Sequence, residues 1–470
     1  MGWADLPLIN LIIVLANLSR LYEWMTDCSL SFGWTWTVVL PMQLRFVGIT
    51  HPDDVKHVLR DNFDNYVKGE TFGALVNELL GGGIFNSDGK AWYRQRKIAS
   101  HLFHVRNFKE TMVPVFLAHA RKVARLLDAT AATGHHAVID MHDVFYRYTL
   151  DSAGVIAFSK DIGSLENRDV PFARAFDYLQ WGCLMRGFTP LWWLWRDLGL
   201  SPIENRMRRE LAVLDDYIRT AVLDSDDPPA DGQQGASIIE LFKASSLRPD
   251  SLRHGPDDEA GREEELLFLR DLVVNFIIAG RDTTGAALSW LFYLLAMHPQ
   301  VRDEVVAEID EVLDGADMAY GDIPRLPLLH AAVKETLRLY PSVPRDLKVS
   351  VSADVLPGSG AAVAPGVWIV YMPYVMGRLP ALWGPDAASF RPQRWLEPDF
   401  EPPSAYKFIA FNAGKRSCLG ERMAYQEIMA CSVHLLQRFV LDVAPGADVR
   451  PATQITLAMA NGLPMNVRER

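Results

Sequence analysis

The sequence predicts a mainly helical protein with small β-sheets, and three observations carry that expectation. Helical periodicity dominates from about residue 90 onward. Alternating, β-rich stretches are few and short: "WTWTVVLPMQLRFVGIT" over residues 34–50, and the stretch from Lys348 to Tyr371 with its "PGSG" and "APG" turns. No linker divides the chain into two apolar blocks, so residues 1–470 read as one domain although length alone would suggest two or three.

The elements follow in order. The run "LPLINLIIVLANL", Leu6 to Leu18, is interrupted by Pro7, Asn10 and Asn17. It is shorter than the roughly 20 apolar residues a bilayer-spanning helix needs. No Lys or Arg precedes it, as a signal peptide would require. It predicts a packed or interfacial segment, with a buried helix as the favoured reading, within an N-terminal segment, residues 1–32, without a full membrane anchor. "HPDDVKHVLRDN" starts a helix with Asp53 and Asp54 in its first turn. The Trp-rich "WGCLMRGFTPLWWLW", residues 181–195, suits either core packing or a lipid interface. Pro/Gly/acid-rich loops over 224–235 and 246–264 bracket one short helix near Ile238 to Ala244.

Charge and cysteine usage exclude several function classes. A net charge of -11 argues against a general nucleic-acid binder. Within that acidic total, Arg94, Arg96, Lys97, Arg106, Lys109, Arg121, Lys122 and Arg125 face Glu110 alone, either as a solvated helical face or as a docking patch for an acidic protein. The four cysteines, Cys28, Cys183, Cys418 and Cys431, form no CxxC pair, which speaks against a zinc site or a disulfide scaffold. One cysteine is free for a special task.

That cysteine stands in "FIAFNAGKRSCLGERMAYQE", Phe408 to Glu427. Cys418 separates a Gly-containing loop from a helix beginning near Leu419, where unpaired N–H groups and the helix dipole favour a thiolate. Gly414 permits a tight turn, Gly420 leaves space for something flat, Arg416 can reach a carboxylate on that flat object, and Phe411 can shield the sulfur. This pattern, Phe-x-x-Gly-x-Arg-x-Cys-x-Gly, resembles the haem-binding loop of the cytochrome P-450 family, the haem-thiolate monooxygenases. The resemblance implies the P-450 fold, a single triangular domain, with haem b whose iron takes its axial thiolate from Cys418.

The remaining motifs occur in that family's order. "WYRQRK" places Trp92 and Arg96 on one helical face, and the resemblance assigns both to the haem propionates with Arg416. Lys348 falls where many relatives hold a further basic propionate partner. "KETLRLYP" holds Glu335 and Arg338, which the resemblance ties to Arg394 of "FRPQRW" as structural support. Gln393 stands where the family carries Glu, which removes an accessory ion pair. In "NFIIAGRDTTGAALSW", Asn275 to Trp290, Gly280, Thr283, Thr284 and Gly285 weaken a strong helix. By resemblance, Ala279 and Gly280 let this helix lie close to the haem, Thr283 opens it locally, and Asp282 with Thr283 forms the acid–alcohol pair that supplies protons. Ala279 replaces the Glu that links haem covalently in some animal relatives.

The branch resemblance is to fungal, plant and algal enzymes that hydroxylate fatty acids or alkanes at the chain end, through "MGRLPALWGPDAASFRPQRWLEP" and "ITLAMANGLPM". It implies insertion of one oxygen atom from O2 into a C–H bond of a lipophilic substrate, with NADPH electrons arriving through a flavoprotein reductase. It further implies a monomer at the cytosolic face of the endoplasmic reticulum membrane; relatives usually begin with a membrane anchor, so either the chain is truncated or it attaches only through interfacial residues. Phe72, Leu75, Phe276, Val343 and Met459 are the expected pocket lining. A haem-thiolate isomerase or lyase acting on lipid hydroperoxides is the alternative within the family, and a haem-based gas sensor the alternative outside enzymes.

Overall fold

The computed structural model of the protein describes residues 6–41, 44–103, 108–134, 137–223, 237–244 and 259–470. Among the described residues there are ten strands: β1 (Thr35–Leu40), β2 (Leu44–Ile49), β3 (Tyr66–Val67), β4 (Val138–Asp140), β5 (Asp346–Ser350), β6 (Asp354–Val355), β7 (Ala362–Val363), β8 (Trp368–Tyr371), β9 (Phe439–Val443) and β10 (Pro464–Glu469). They form a five-stranded sheet ordered β1-β2-β8-β5-β3, a three-stranded sheet ordered β4-β10-β9 and the pair β6-β7. The two β-rich stretches read from sequence meet in the first sheet, where β2 runs parallel to β8 with Phe46 opposite Trp368. Both larger sheets join residues from opposite ends of the chain.

Helices make up the rest. A central helical run crosses the molecule: Glu259–Ile277, a π-helical turn Ile278–Asp282, and Thr283–Met297. Its last segment is buried on all sides because "LSWLFYLLA" is apolar all round. Trp290 anchors it, stacked on Tyr340 with ring centroids 4.0 Å apart and donating its indole N–H to Leu457 O at 2.7 Å. The helix Met141–Phe158 packs along it, and the helix Glu421–Leu436 carries the chain away from the cysteine loop.

Several expectations change. The helix Pro7–Ala16 forms, but it is not buried: Val14 is its one buried residue, and Leu8 and Ile12 are 70% and 65% exposed. An apolar run signals helix propensity and low polarity, and neither says which face the fold covers. Among the described residues no single helix is long and apolar enough to cross a membrane, although Pro7–Ala16 with Leu18–Phe32, bent by 60°, has the length and composition together. Of the loop expected over 246–264, residues 246–258 lie outside the described residues, and Glu259 already begins a helix. The loop over 224–235 lies outside the described residues, whereas the short helix between the two loops spans Ile238–Ala244.

Candidate active site

A cavity of about 900 Å³ occupies the interior between the central helix and the cysteine loop. Two backbone features build that loop. Asn412 and Gly414 adopt positive φ, and a side chain at Gly414 would stand 2.2 Å from Leu59 O, so only glycine allows the loop to dock there. The Cys418 N–H donates to Phe411 O at 2.8 Å, which turns the sulfur inward. Cys418 has open surface although it sits deep in the protein, because that surface faces the cavity. Burial raises the affinity of its thiol for the proton, against the lowering effect of the Gly420 N–H and of Arg96. The helix-terminus stabilisation of the thiolate expected from sequence is therefore present and outweighed by desolvation. A methyl at Gly420 would meet Phe103 and the Cys418 sulfur only at ordinary contact distances of 3.6 and 3.9 Å. Nothing in the protein itself demands glycine there; a flat group against the loop would.

The helix Gly89–Ala99 delivers Arg96, and the cysteine loop delivers Arg416. Arg96 and Arg416 both lie over the Trp92 ring, at 5.9 and 4.6 Å from its centroid. Burial depresses the proton affinity of both guanidinium groups. Arg416 is partly neutralised by Asp88 at 2.6 Å, whereas Arg96 reaches only the Ser417 hydroxyl, at 3.2 Å, among the described residues. Two half-buried cations beside a cavity-facing cysteine, one without an acid, fit a flat ligand bearing carboxylates. Lys348 is placed differently from the expectation. It is fully buried, does not reach the cavity wall, and its Nζ has no hydrogen-bond partner and lies 3.9 Å from Asp346. The strand pairing of β5 with β8 turns it into the sheet, and Lys68, bonded to Asp346 at 2.7 Å, stands at the wall in its place.

On the facing wall the π-helical turn brings Ala279, Gly280 and Thr283 to the cavity. Thr283 donates to Ala279 O at 2.7 Å, and its own carbonyl accepts from the Ser342 hydroxyl at 2.6 Å. Gly280 also serves packing, since a methyl there would approach the Ala153 methyl to 2.9 Å. Asp282 points away from the cavity. Its carboxylate accepts from Arg281 at 3.2 Å, Arg281 pairs with the exposed Asp177 at 2.6 Å, and the second Asp282 oxygen has no hydrogen-bond partner. Burial pushes Asp282 up to about 7, against the opposing pull of Arg281.

The support network forms as expected: Glu335 binds Arg338 at 2.7 Å and Arg394 at 2.9 Å. Gln393 replaces the lost accessory ion pair with a hydrogen bond to Glu304 at 3.0 Å. Phe72, Leu75, Phe276, Val343 and Phe411 all line the cavity. Met459 does not. It bridges Pro451 and is buried in the core, and the tip of the same turn contributes Gln454, Ile455 and Thr456 instead. Sequence reasoning missed Lys68, Arg186 and Arg345 at the wall; isolated basic residues outside a motif carry no spacing signal.

The family model for Cytochrome P450 matches residues 2–464. The chain is 33% identical to Cytochrome P450 704B1 of Arabidopsis thaliana, over 99% of this chain and 94% of that protein. It is also 33% identical to Cytochrome P450 94A2 of Vicia sativa, over 97% of this chain and 89% of that protein. Cytochrome P450 monooxygenase cyp1 of Mycosarcoma maydis is 33% identical over 95% of this chain and 70% of that protein. These relatives are plant and fungal, as the branch resemblance implies. The chain thus belongs to the cytochrome P450 family and is a haem-thiolate monooxygenase, which uses O2 and electrons from a redox partner on a lipophilic substrate.

Proposed function

We propose that this monooxygenase hydroxylates a fatty acid at or near its methyl end. The observation that carries this reading is the composition of the cavity wall. Cys418 and Thr283, Phe72, Leu75 and Phe276, and Leu11, Val14, Trp24 and Met25 of the N-terminal helices line one cavity, most of it with apolar side chains. Such a wall suits a long hydrocarbon.

In this reading Cys418 would hold the haem iron through its thiolate, and Trp92, Arg96 and Arg416 would hold the haem carboxylates. Ala279 offers no carboxylate for a covalent ester. The haem, when bound, supplies the reduction of O2 and the transfer of one oxygen atom. Overall, the C–H bond becomes C–OH while two electrons and two protons convert the second oxygen atom to water. The protein's share is to bring those protons in. Asp282 connects through Arg281 to Asp177 at the surface and titrates near neutrality; Thr283 holds a hydroxyl at the cavity wall. Electrons derive from NADPH through a flavoprotein reductase docked near the exposed Arg94 and Lys97. Exposed Leu8, Ile12, Trp193, Leu194 and Trp195 lie on segments that also line the cavity through Leu11, Val14, Leu191 and Trp192, which suits attachment to the cytosolic face of the endoplasmic reticulum membrane.

The test is turnover of a substrate panel by the holoenzyme with a NADPH-dependent reductase. Terminal hydroxylation of medium- or long-chain fatty acids is expected. Predominant oxidation of steroids or aromatic compounds overturns the reading.

A further inference from the structure

Five cationic side chains line the cavity: Lys68, Arg96, Arg186, Arg345 and Arg416. A charge held in an apolar wall costs free energy unless it is matched. Three of the five are matched by acids. Lys68 meets Asp346 at 2.7 Å, Arg416 meets Asp88 at 2.6 Å, and Arg186 binds both Glu78 and Glu204. Arg96 lies beside Ser417, in the loop that holds Cys418, and is assigned to the haem carboxylates.

Arg345 is the exception. Among the described residues no carboxylate lies within ion-pair distance of it. Its Nη1 is buried without a hydrogen-bond partner. Its one recorded contact is with the Tyr22 ring, 5.9 Å from guanidinium carbon to centroid. A cation–π contact of that length leaves most of the guanidinium donors unused. Its position is equally specific. Residues 342–345 follow the cavity wall from the central helix to the N-terminal helices: Ser342 bonds to Thr283 O, whereas Arg345 sits against Tyr22 in the helix Leu21–Phe32. Tyr22 in turn donates to Gln454 O at 3.2 Å, and Gln454, Trp24 and Met25 share this end of the wall.

We propose that Arg345 is the carboxylate site of the substrate: it holds the fatty-acid headgroup at the end of the cavity formed by the N-terminal helices. This rests on the fatty-acid reading above. The planar guanidinium fork matches a carboxylate in a way that an alcohol or an alkane end cannot reproduce. With the head fixed beside Tyr22, the methyl end is the part of the chain directed toward Thr283 and Cys418. The anchor therefore separates fatty acids from alkanes and selects the chain terminus for oxidation.

The test uses the haem-loaded enzyme and two probes, dodecanoate and its methyl ester, titrated against the substrate-induced shift of the Soret band. Arg345→Met is expected to weaken dodecanoate roughly ten- to a hundredfold, as for loss of a charge-assisted hydrogen bond, and to leave the ester unchanged. Arg345→Lys is expected to retain most of the acid affinity, and products of the Met variant spread from the terminal carbon to in-chain positions. Equal loss for acid and ester, or no loss for the acid, overturns the anchor while leaving the fatty-acid reading standing. Loss of haem or of the reduced, CO-bound thiolate band in Arg345→Met places the residue at the haem and also overturns it. If the wild type responds to neither probe and turns over no fatty acid, the functional reading fails and the anchor with it.

Discussion

Glu335 receives five donors from four residues: Nε and Nη2 of Arg338, Nε of Arg394, the indole N–H of Trp395 and the backbone N–H of Arg391. These bonds hold its carboxyl below the ordinary carboxylate range, with burial opposing them. Glu335→Gln puts an amide N–H where acceptors are needed, leaves the buried Arg338 without a countercharge and leaves Arg394 with Asp386 alone. The expected cost is about 3–5 kcal/mol, read as a lower denaturant midpoint; a midpoint close to wild type would contradict it. Asp282 titrates the opposite way. Its unfolded-state value is 3.8 and its folded value about 7. The unfolded chain therefore sheds this proton first as pH rises, and stability falls between those values and is level above them. Asp282→Asn removes that slope. The melting-temperature difference between variant and wild type is expected to widen from pH 4 to 7, by at most about 4 kcal/mol in stability, and then to hold constant. At this scale the motif residues were legible because their spacing is fixed by helical geometry. Their backbone and indole partners were not, since a main-chain donor leaves no mark on a sequence.

The central helical run shows what an element adds. Its small residues were read as room for a ligand, and for Ala279 and Thr283 the placement agrees. Gly285 does something else. A methyl there would lie 2.8 Å from a Tyr146 ring carbon and 3.2 Å from the Thr149 hydroxyl. Gly285→Ala is expected to destabilise the protein by about 1–2 kcal/mol, because overpacking exceeds the gain in helix propensity. Thermal unfolding checks it, and a raised melting temperature would show that the Met141–Phe158 helix yields freely. A close helix crossing and a ligand groove draw on the same residue types, so only the neighbouring element tells them apart. The same holds for Pro7–Ala16: its composition was legible, but its exposure depends on what packs over it.

At the scale of the molecule, exposed apolar side chains gather on two segments that also contribute to the cavity wall, Pro7–Ala16 and the stretch from Leu191 to Leu200. Replacing Trp193 and Trp195 with Ser is expected to reduce co-sedimentation with phosphatidylcholine vesicles while leaving the CO-bound spectrum intact. Unchanged co-sedimentation would take this face out of the membrane contact. The architecture was legible through four ordered motifs, because the resemblance carries the fold with it. The cavity wall was not, because turns far apart in sequence compose it. That distance has a consequence for biosynthesis. Tyr22 bonds to Gln454 and Thr453 to Leu18, and β10 closes the second sheet from the last residues of the chain. Tyr22 is synthesised 432 residues before Gln454, and Leu18 435 residues before Thr453. The N-terminal helices therefore wait through that synthesis with an apolar face uncovered, an interval in which closing the cavity competes with aggregation.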